Sequence, residues 1–191
     1  MRVTKEVAIQ NRSKILETAT ELFKTRGIDN VSVADLMKAA GFTHGGFYNH
    51  FESKADLAIE TIQYAFDRAL DEISGESAAA AGASVSMAER LAYYLSPEHR
   101  DASNGGCPTG SLPVDVGRQS ADAQRAFAKG LERYVGLVES VFPLSGDCKR
   151  EAAIATLSRL VGAIILSRAV RDGNPGLSAE ILRAARFDRE D

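Results

Sequence analysis

The stretch VSVADLMKAAGFTHGGFYNHF, residues 31–51, constrains this chain more than any other. Ser32 can cap a helix, its hydroxyl accepting from the orphan N–H groups of the opening turn. Val33, Leu36, Met37 and Ala40 then fall on one face, so VADLMKAA is an amphipathic helix of about two turns. Gly41 follows at once, where glycine takes the left-handed conformation that ends a helix. Phe42 points back at the core, and Thr43 can cap a second short helix. The expectation is two short helices joined by a tight turn.

The second helix carries more than packing explains. Phe47 and Phe51, four residues apart, make a narrow apolar stripe. Around it sit His44, Gly45, Gly46, Tyr48, Asn49 and His50. Two adjacent glycines cost a helix roughly 2 kcal/mol against alanine. Close approach of the backbone to another surface would offset that cost. Small residues, an amide, a phenol and two imidazoles suit the DNA major groove. Asn pairs with adenine edges, while Tyr and Thr hydroxyls and helix N-terminal amides hold phosphates. An ordinary surface helical hairpin fits the spacing as well.

Composition narrows the partners. With 23 Lys and Arg against 26 Asp and Glu, the net charge is −3, so this is no globally basic binder. DNA affinity would have to come from a local patch. Residues 1–57 hold eight Lys or Arg and seven Asp or Glu, leaving about −4 on the remainder. At 191 residues and 45% hydrophobic, the chain can bury a core in one or two small domains. No run of about 18 apolar residues is visible, so no membrane span is expected. The N-terminus lacks the apolar core of a signal peptide. Cys107 and Cys148 then imply a reduced, cytoplasmic setting. No CxxC, HExxH or P-loop pattern occurs, so neither metal nor cofactor is expected.

The pattern along the chain reads as all-α. A first helix is expected from about Gln10 to Thr25, with Ile15, Leu16, Ala19, Leu22 and Phe23 inward. Residues 1–10 read as frayed, with Arg2 and Lys5 able to reach phosphates. Ser53 caps the next helix, with Asp56 as a weaker capping box. Lys54 there opposes the helix dipole, and a nearby phosphate or plain solvation would account for it. That helix runs on through Leu57, Ile62, Phe66, Leu70 and Ile73. Residues 74–84 and 96–106 read as loops, with a short helix at Met87–Leu95 between them. Pro108 and Pro113 break the segment around Cys107 into short pieces. Long helices at Ser120–Phe142 and Lys149–Arg171, a turn at 143–147, and an amphipathic helix at Leu177–Phe187 complete the chain.

The ordered run ILETATELFKTRG, VSVADLMKAAGF and GGFYNHFESKADL resembles the DNA-binding domain of TetR-family transcriptional regulators. The resemblance covers about a quarter of the chain, from about Asn11 to Leu57. It implies a helix-turn-helix domain at 1–52 and a helical ligand-binding and dimerisation domain at 53–191. It also implies a homodimeric repressor that leaves a near-palindromic double-stranded operator when a small-molecule effector binds. DNA contacts then fall on Ser32, Thr43, His44, Gly45, Gly46, Tyr48, Asn49, His50 and Lys54. Two positions depart from the family pattern: His44 stands where lysine is frequent, and Gly46 where a hydroxyl or alanine is frequent. The operator sequence therefore does not carry over.

Three features of the second domain bear on regulation. Leu91, Tyr94, Leu112, Phe127, Tyr134 and Leu157 would line an apolar pocket with a few hydroxyls, or would be solid core. The helix at Lys149–Arg171 is apolar on more than one face, so it buries against more than one neighbour. In the family it resembles, the last two long helices pack against their symmetry mates. That assigns Leu160, Val161, Ile164, Ile165, Arg168, Ile181 and Leu182 to a dimer interface, against the alternative of an all-internal core. Cys107 sits at a helix start, which favours thiolate, and Arg118 or His99 could add to the effect. GCPTGSLPVDVGRQSADAQRAFAKG also resembles a subgroup whose GC-x-x cysteine senses electrophiles or oxidants. A small buried hydrophobe is the other reading of Cys107. An enzyme is not expected: the histidines are His44, His50 and His99, and no nucleophile–base–orienter set is visible.

Overall fold

The computed structural model of the chain describes residues 4–74, 87–102, 104–141 and 148–186. Every regular element among them is helical. In chain order they are α1 (Lys5–Arg26), α2 (Val33–Ala40), a 3-10 turn (His44–Asn49), α3 (Lys54–Ser74), α4 (Met87–Tyr94) and α5 (Pro97–Arg100). There follow α6 (Pro108–Ser111), α7 (Pro113–Val116), α8 (Ala121–Val141), α9 (Lys149–Val170) and α10 (Pro175–Ala184). Arg2, residues 75–84 of the small-residue stretch and the turn at 143–147 lie outside the described residues.

Two compact units divide the chain. One unit runs through Arg68 and takes in Leu112–Gly130; the other comprises Ala69–Ser111 and the chain from Leu131 onward. Helix α3 therefore belongs to both.

In the first unit, α1 starts earlier than expected. Thr4 Oγ1 accepts from the Val7 N–H at 3.4 Å, and Glu6 favours the positive end of the dipole. Lys5 to Gln10 are helical, not frayed. Ile15, Leu16, Ala19 and Phe23 are buried, as are Leu36, Met37 and Ala40 of α2. Gly41, at φ +83°, ends α2 in the left-handed conformation, and the Phe42 N–H donates to Met37 O at 2.8 Å. Ser53 Oγ caps α3 by accepting from the Asp56 N–H at 3.0 Å, and Asp56 Oδ2 answers the Glu52 N–H at 3.3 Å.

The distant segment from Leu112 completes this unit. Leu112, Val116, Ala123 and Ala126 are buried, and the Phe127 ring meets Phe66 edge-on at 5.1 Å between centroids. Asp115 Oδ2 accepts from the Ile28 N–H at 3.3 Å, and Gln119 Nε2 donates to Asp29 Oδ1 at 3.0 Å. The corner between α1 and α2 is thus held by residues some ninety positions downstream.

The second unit is built on α9 and α10. Leu95, Leu160, Ala163, Ile164, Leu182 and Ala185 form its core, with Leu91, Tyr94 and Ile181 packed against it. Ser167 and Ser178 lock the two helices: their hydroxyls lie 2.7 Å apart, and each bonds the other's carbonyl. By length and composition alone α9 is long and apolar enough to cross a membrane, a test that core helices also pass. Its Ala153, Thr156, Leu157, Leu160, Ala163, Ile164 and Ser167 are buried within the protein.

Candidate functional site

The 3-10 turn is a two-sided element. Inward, Phe47 is fully buried and Phe51 nearly so, their rings 5.6 Å apart, with the Arg12 guanidinium 4.7 Å over Phe51. Outward, Thr43, His44, Gly45, Tyr48 and Asn49 are exposed, and Tyr48 shows 64% of its surface. The His44 and Tyr48 rings meet edge-on at 6.2 Å. Gly46 and His50 are half-buried. Sequence spacing implied an α-helix capped by Thr43, but the element is a 3-10 turn and the Thr43 side chain makes no capping bond. With only six residues between Thr43 and His50, few i+4 bonds are available to set an α period.

The glycine pair is not demanded by this fold. Neither Gly45 nor Gly46 has a positive φ. A Cβ on Gly45 would meet nothing within 4 Å, and one on Gly46 would make ordinary contact with Thr43 Oγ1 at 3.6 Å and Met37 Cε at 3.7 Å. Two expected DNA contacts have work inside the chain. Ser32 Oγ accepts from the Asp35 N–H at 3.0 Å and donates to Asp35 Oδ2 at 2.6 Å. Lys54 Nζ donates to the Asp29 carbonyl at 3.2 Å, using one of its three donors.

Cys107 lies in a polar cluster of the second unit. Its thiol donates to Tyr134 Oη at 3.4 Å and is 3.0 Å from Thr109 Oγ1. His99 is the bracket. Its Nδ1 is 2.9 Å from the Tyr94 carbonyl, and its Nε2 accepts from the Cys107 N–H at 3.4 Å. These partners require the neutral ring with its proton on Nδ1. Tyr94 stacks on the same ring, centroids 4.6 Å apart. Gly106, at φ +65°, brings the chain this close: a Cβ there would sit 2.7 Å from Arg168 Nη2 and 3.2 Å from His99 Nε2.

Arg168 fastens the bracket from α9. Its Nε donates to Arg100 O at 2.8 Å, Nη1 to Gly110 O at 3.0 Å and Nη2 to His99 O at 3.2 Å. Burial, followed by the nearby Cys107, pushes both the Tyr94 and Tyr134 phenols well above the ordinary tyrosine value, so both stay protonated donors. Arg118, expected as a partner of the thiol, instead sits 3.9 Å from Asp115 in the first unit.

The six pocket candidates do not share one unit. Leu112 and Phe127 belong to the first; Leu91, Tyr94, Tyr134 and Leu157 belong to the second. The interface candidates also part company. Leu160, Ile164 and Leu182 lie in the core of the second unit, and Arg168 donates to three carbonyls. Val161, Ile165 and Ile181 are half-buried. The large exposed hydrophobic side chains of α9 and α10 are Ile154, Leu166 and Leu177. Periodicity marked several apolar faces on α9 but gave no way to choose the outer one. Thr109, which completes the Cys107 cluster, left no signal beyond lying two residues on. Among the described residues, no group of three or more His, Cys, Asp or Glu could hold a metal ion.

Residues 15–61 match the family described as bacterial regulatory proteins, tetR family. The HTH-type transcriptional regulator AcrR of Shigella flexneri is 42% identical over 59 residues, which is 31% of this chain and 27% of that one. The HTH-type transcriptional repressor DhaR of Mycobacterium sp. strain GP1 is 29% identical over 124 residues, 65% of this chain and 61% of its own. The matches thus span under two thirds of these relatives, whose names are those of regulators and not of enzymes. Among solved structures, the reduced form of E. coli NemR has a TM-score of 0.71 at 22% identity, covering 92% of this chain and 93% of that one. A TetR-family regulator from Cytophaga hutchinsonii has a TM-score of 0.70 at 21% identity, covering 97% and 94%. These likenesses extend the shared fold to the second unit.

Proposed function

We propose that the chain is a member of the tetR family of bacterial regulatory proteins, which residues 15–61 match, and a cytoplasmic, homodimeric, DNA-binding regulator of transcription. The single observation that carries this reading is the Gly45–Gly46 pair, which the fold does not require and which borders an exposed amide, phenol and imidazole. A bare backbone beside such groups fits the floor of a major groove. Asn49 reads a base edge, Thr43 and Tyr48 hold phosphates, and His44 takes part in readout. Ser32 and Lys54 act through the backbone they fix, with Lys54 adding charge toward the DNA.

One such turn reads few base pairs, so the protein works as a two-fold dimer on a near-palindromic operator. Ile154, Leu166 and Leu177 are the apolar side chains available to cover, with Val161, Ile165 and Ile181 at their margin. Leu166→Glu should split the dimer at a cost of about 3–5 kcal/mol, that of burying an unpaired charge. Sedimentation equilibrium reads the result, and an unchanged dimer would remove α9 from the interface.

As a repressor, it releases DNA when an effector binds the released arrangement better. Helix α3, shared by both units, is the natural lever. A second reading, release by covalent modification of Cys107, is favoured by the thiol's place among hydroxyls and not in hydrocarbon core. Titration of the purified protein with DNA from upstream of its own gene tests the main reading. Affinity should fall steeply with salt as counterions are released. Weak binding indifferent to sequence would oppose it.

A further inference from the structure

Residues 39–53, which hold the turn His44–Asn49 and its flanks, contain neither lysine nor arginine. The side chains there that can carry positive charge are His44 and His50. His44 is exposed and meets the exposed Tyr48 edge-on at 6.2 Å. His50 is half-buried, its ring 6.4 Å from that of Phe51. The charged groups around them are engaged with other partners. Arg12 of α1 pairs with Glu60 of α3 and lies over Phe51, while Lys14 lies over Phe42. Asp35 of α2 bonds Ser32, Asp56 of α3 accepts from the Glu52 N–H, and Lys54 donates to the Asp29 carbonyl. Lys38 ends α2, and Glu52 follows the turn. Among the described residues, none of these is hydrogen-bonded to either imidazole. The third histidine, His99, is different: both its ring nitrogens have partners inside the second unit.

We propose that DNA binding by this protein is coupled to proton uptake at His44 and His50, so that acid tightens the complex without a small-molecule effector. The inference rests on the reading that this turn meets DNA. Histidine is the side chain whose ordinary charge change falls between about pH 5 and 8. A phosphate beside an imidazole favours its charged form. The complex therefore holds more protons than the free protein. By linkage, affinity rises as pH falls through that range, and levels off once the imidazoles are charged in both states. Each imidazolium that meets a phosphate also displaces a counterion, so acid steepens the salt dependence.

The test uses the full-length protein and a duplex that it enriches from random DNA, with selection run at about pH 6 and about pH 8. Fluorescence anisotropy reads Kd at fixed ionic strength, and circular dichroism checks the fold at each pH. Between about pH 8 and about pH 6, Kd should fall about ten-fold. The slope of log affinity against log salt should steepen by about 1–2. His44→Gln should shrink both changes, and His44→Gln with His50→Gln should remove most of them. His44→Lys, charged throughout, should reduce the pH ratio while keeping a steep salt slope at the higher pH. Salt-sensitive binding with a flat pH profile, or a profile that survives the double substitution, would overturn the proposal and leave DNA reading in place. Failure to enrich any duplex at either pH would overturn both.

Discussion

The chain carries two adjacent glycine pairs, and they are opposites. Gly105 and Gly106 have φ of +78° and +65°, and a side chain at Gly106 would run into Arg168 and His99. Gly45 and Gly46 have ordinary backbone, and a side chain at Gly45 would meet empty space. The first pair answers to the protein's own packing. The second is not required by packing within the chain, which agrees with the proposed approach of its backbone to DNA.

The contrast can be broken or sharpened by substitution. The largest effect belongs to the inward-looking region. Arg168→Ala should destabilise the protein by about 3 kcal/mol in denaturant unfolding, since one charged group serves three carbonyls. A much smaller loss would mean that the bracket around Cys107 holds without it. Gly106→Ala comes next, at roughly 2 kcal/mol from forcing a left-handed φ. Its DNA affinity, measured well below the unfolding transition, should stay near wild type.

Gly45→Ala should do the reverse. Alanine gains about 0.5–1 kcal/mol of stability by propensity, while operator affinity falls by about 1–3 kcal/mol from overpacking at the groove. Stability and affinity rising together would erase the distinction between the pairs. The smallest effect is expected at Asp115→Ala, about 1 kcal/mol for one bond to the Ile28 N–H. It would show how much of the α1–α2 corner depends on the distant segment.

The same two regions explain what the sequence revealed. The turn at His44–Asn49 and its neighbours are made by contacts a few residues apart. Caps at Ser32 and Ser53, the stop at Gly41 and the Phe47–Phe51 stripe are all visible as spacing. The Cys107 cluster draws on residues 94, 99, 107, 109, 134 and 168, whose proximity no spacing encodes. Arg168 reads as an interface cation because its three carbonyl partners are backbone groups, silent in any sequence. Leu160 and Ile164 read as either core or interface because a helix apolar on several faces gives no rank among them. The 3-10 period of residues 44–49 was missed for a different reason: short turns differ from α-helix in backbone bonds, not in side-chain pattern.

Selection of binding sites from random duplex DNA by the purified full-length protein tests the central claim most directly. The account predicts enrichment of a near-palindromic site with two half-sites. Binding to it should weaken steeply with salt and lose base preference at particular positions in Asn49→Ala. Failure to enrich any sequence, or enrichment that Asn49→Ala and Gly45→Ala leave untouched, would contradict the claim that the turn at His44–Asn49 reads DNA.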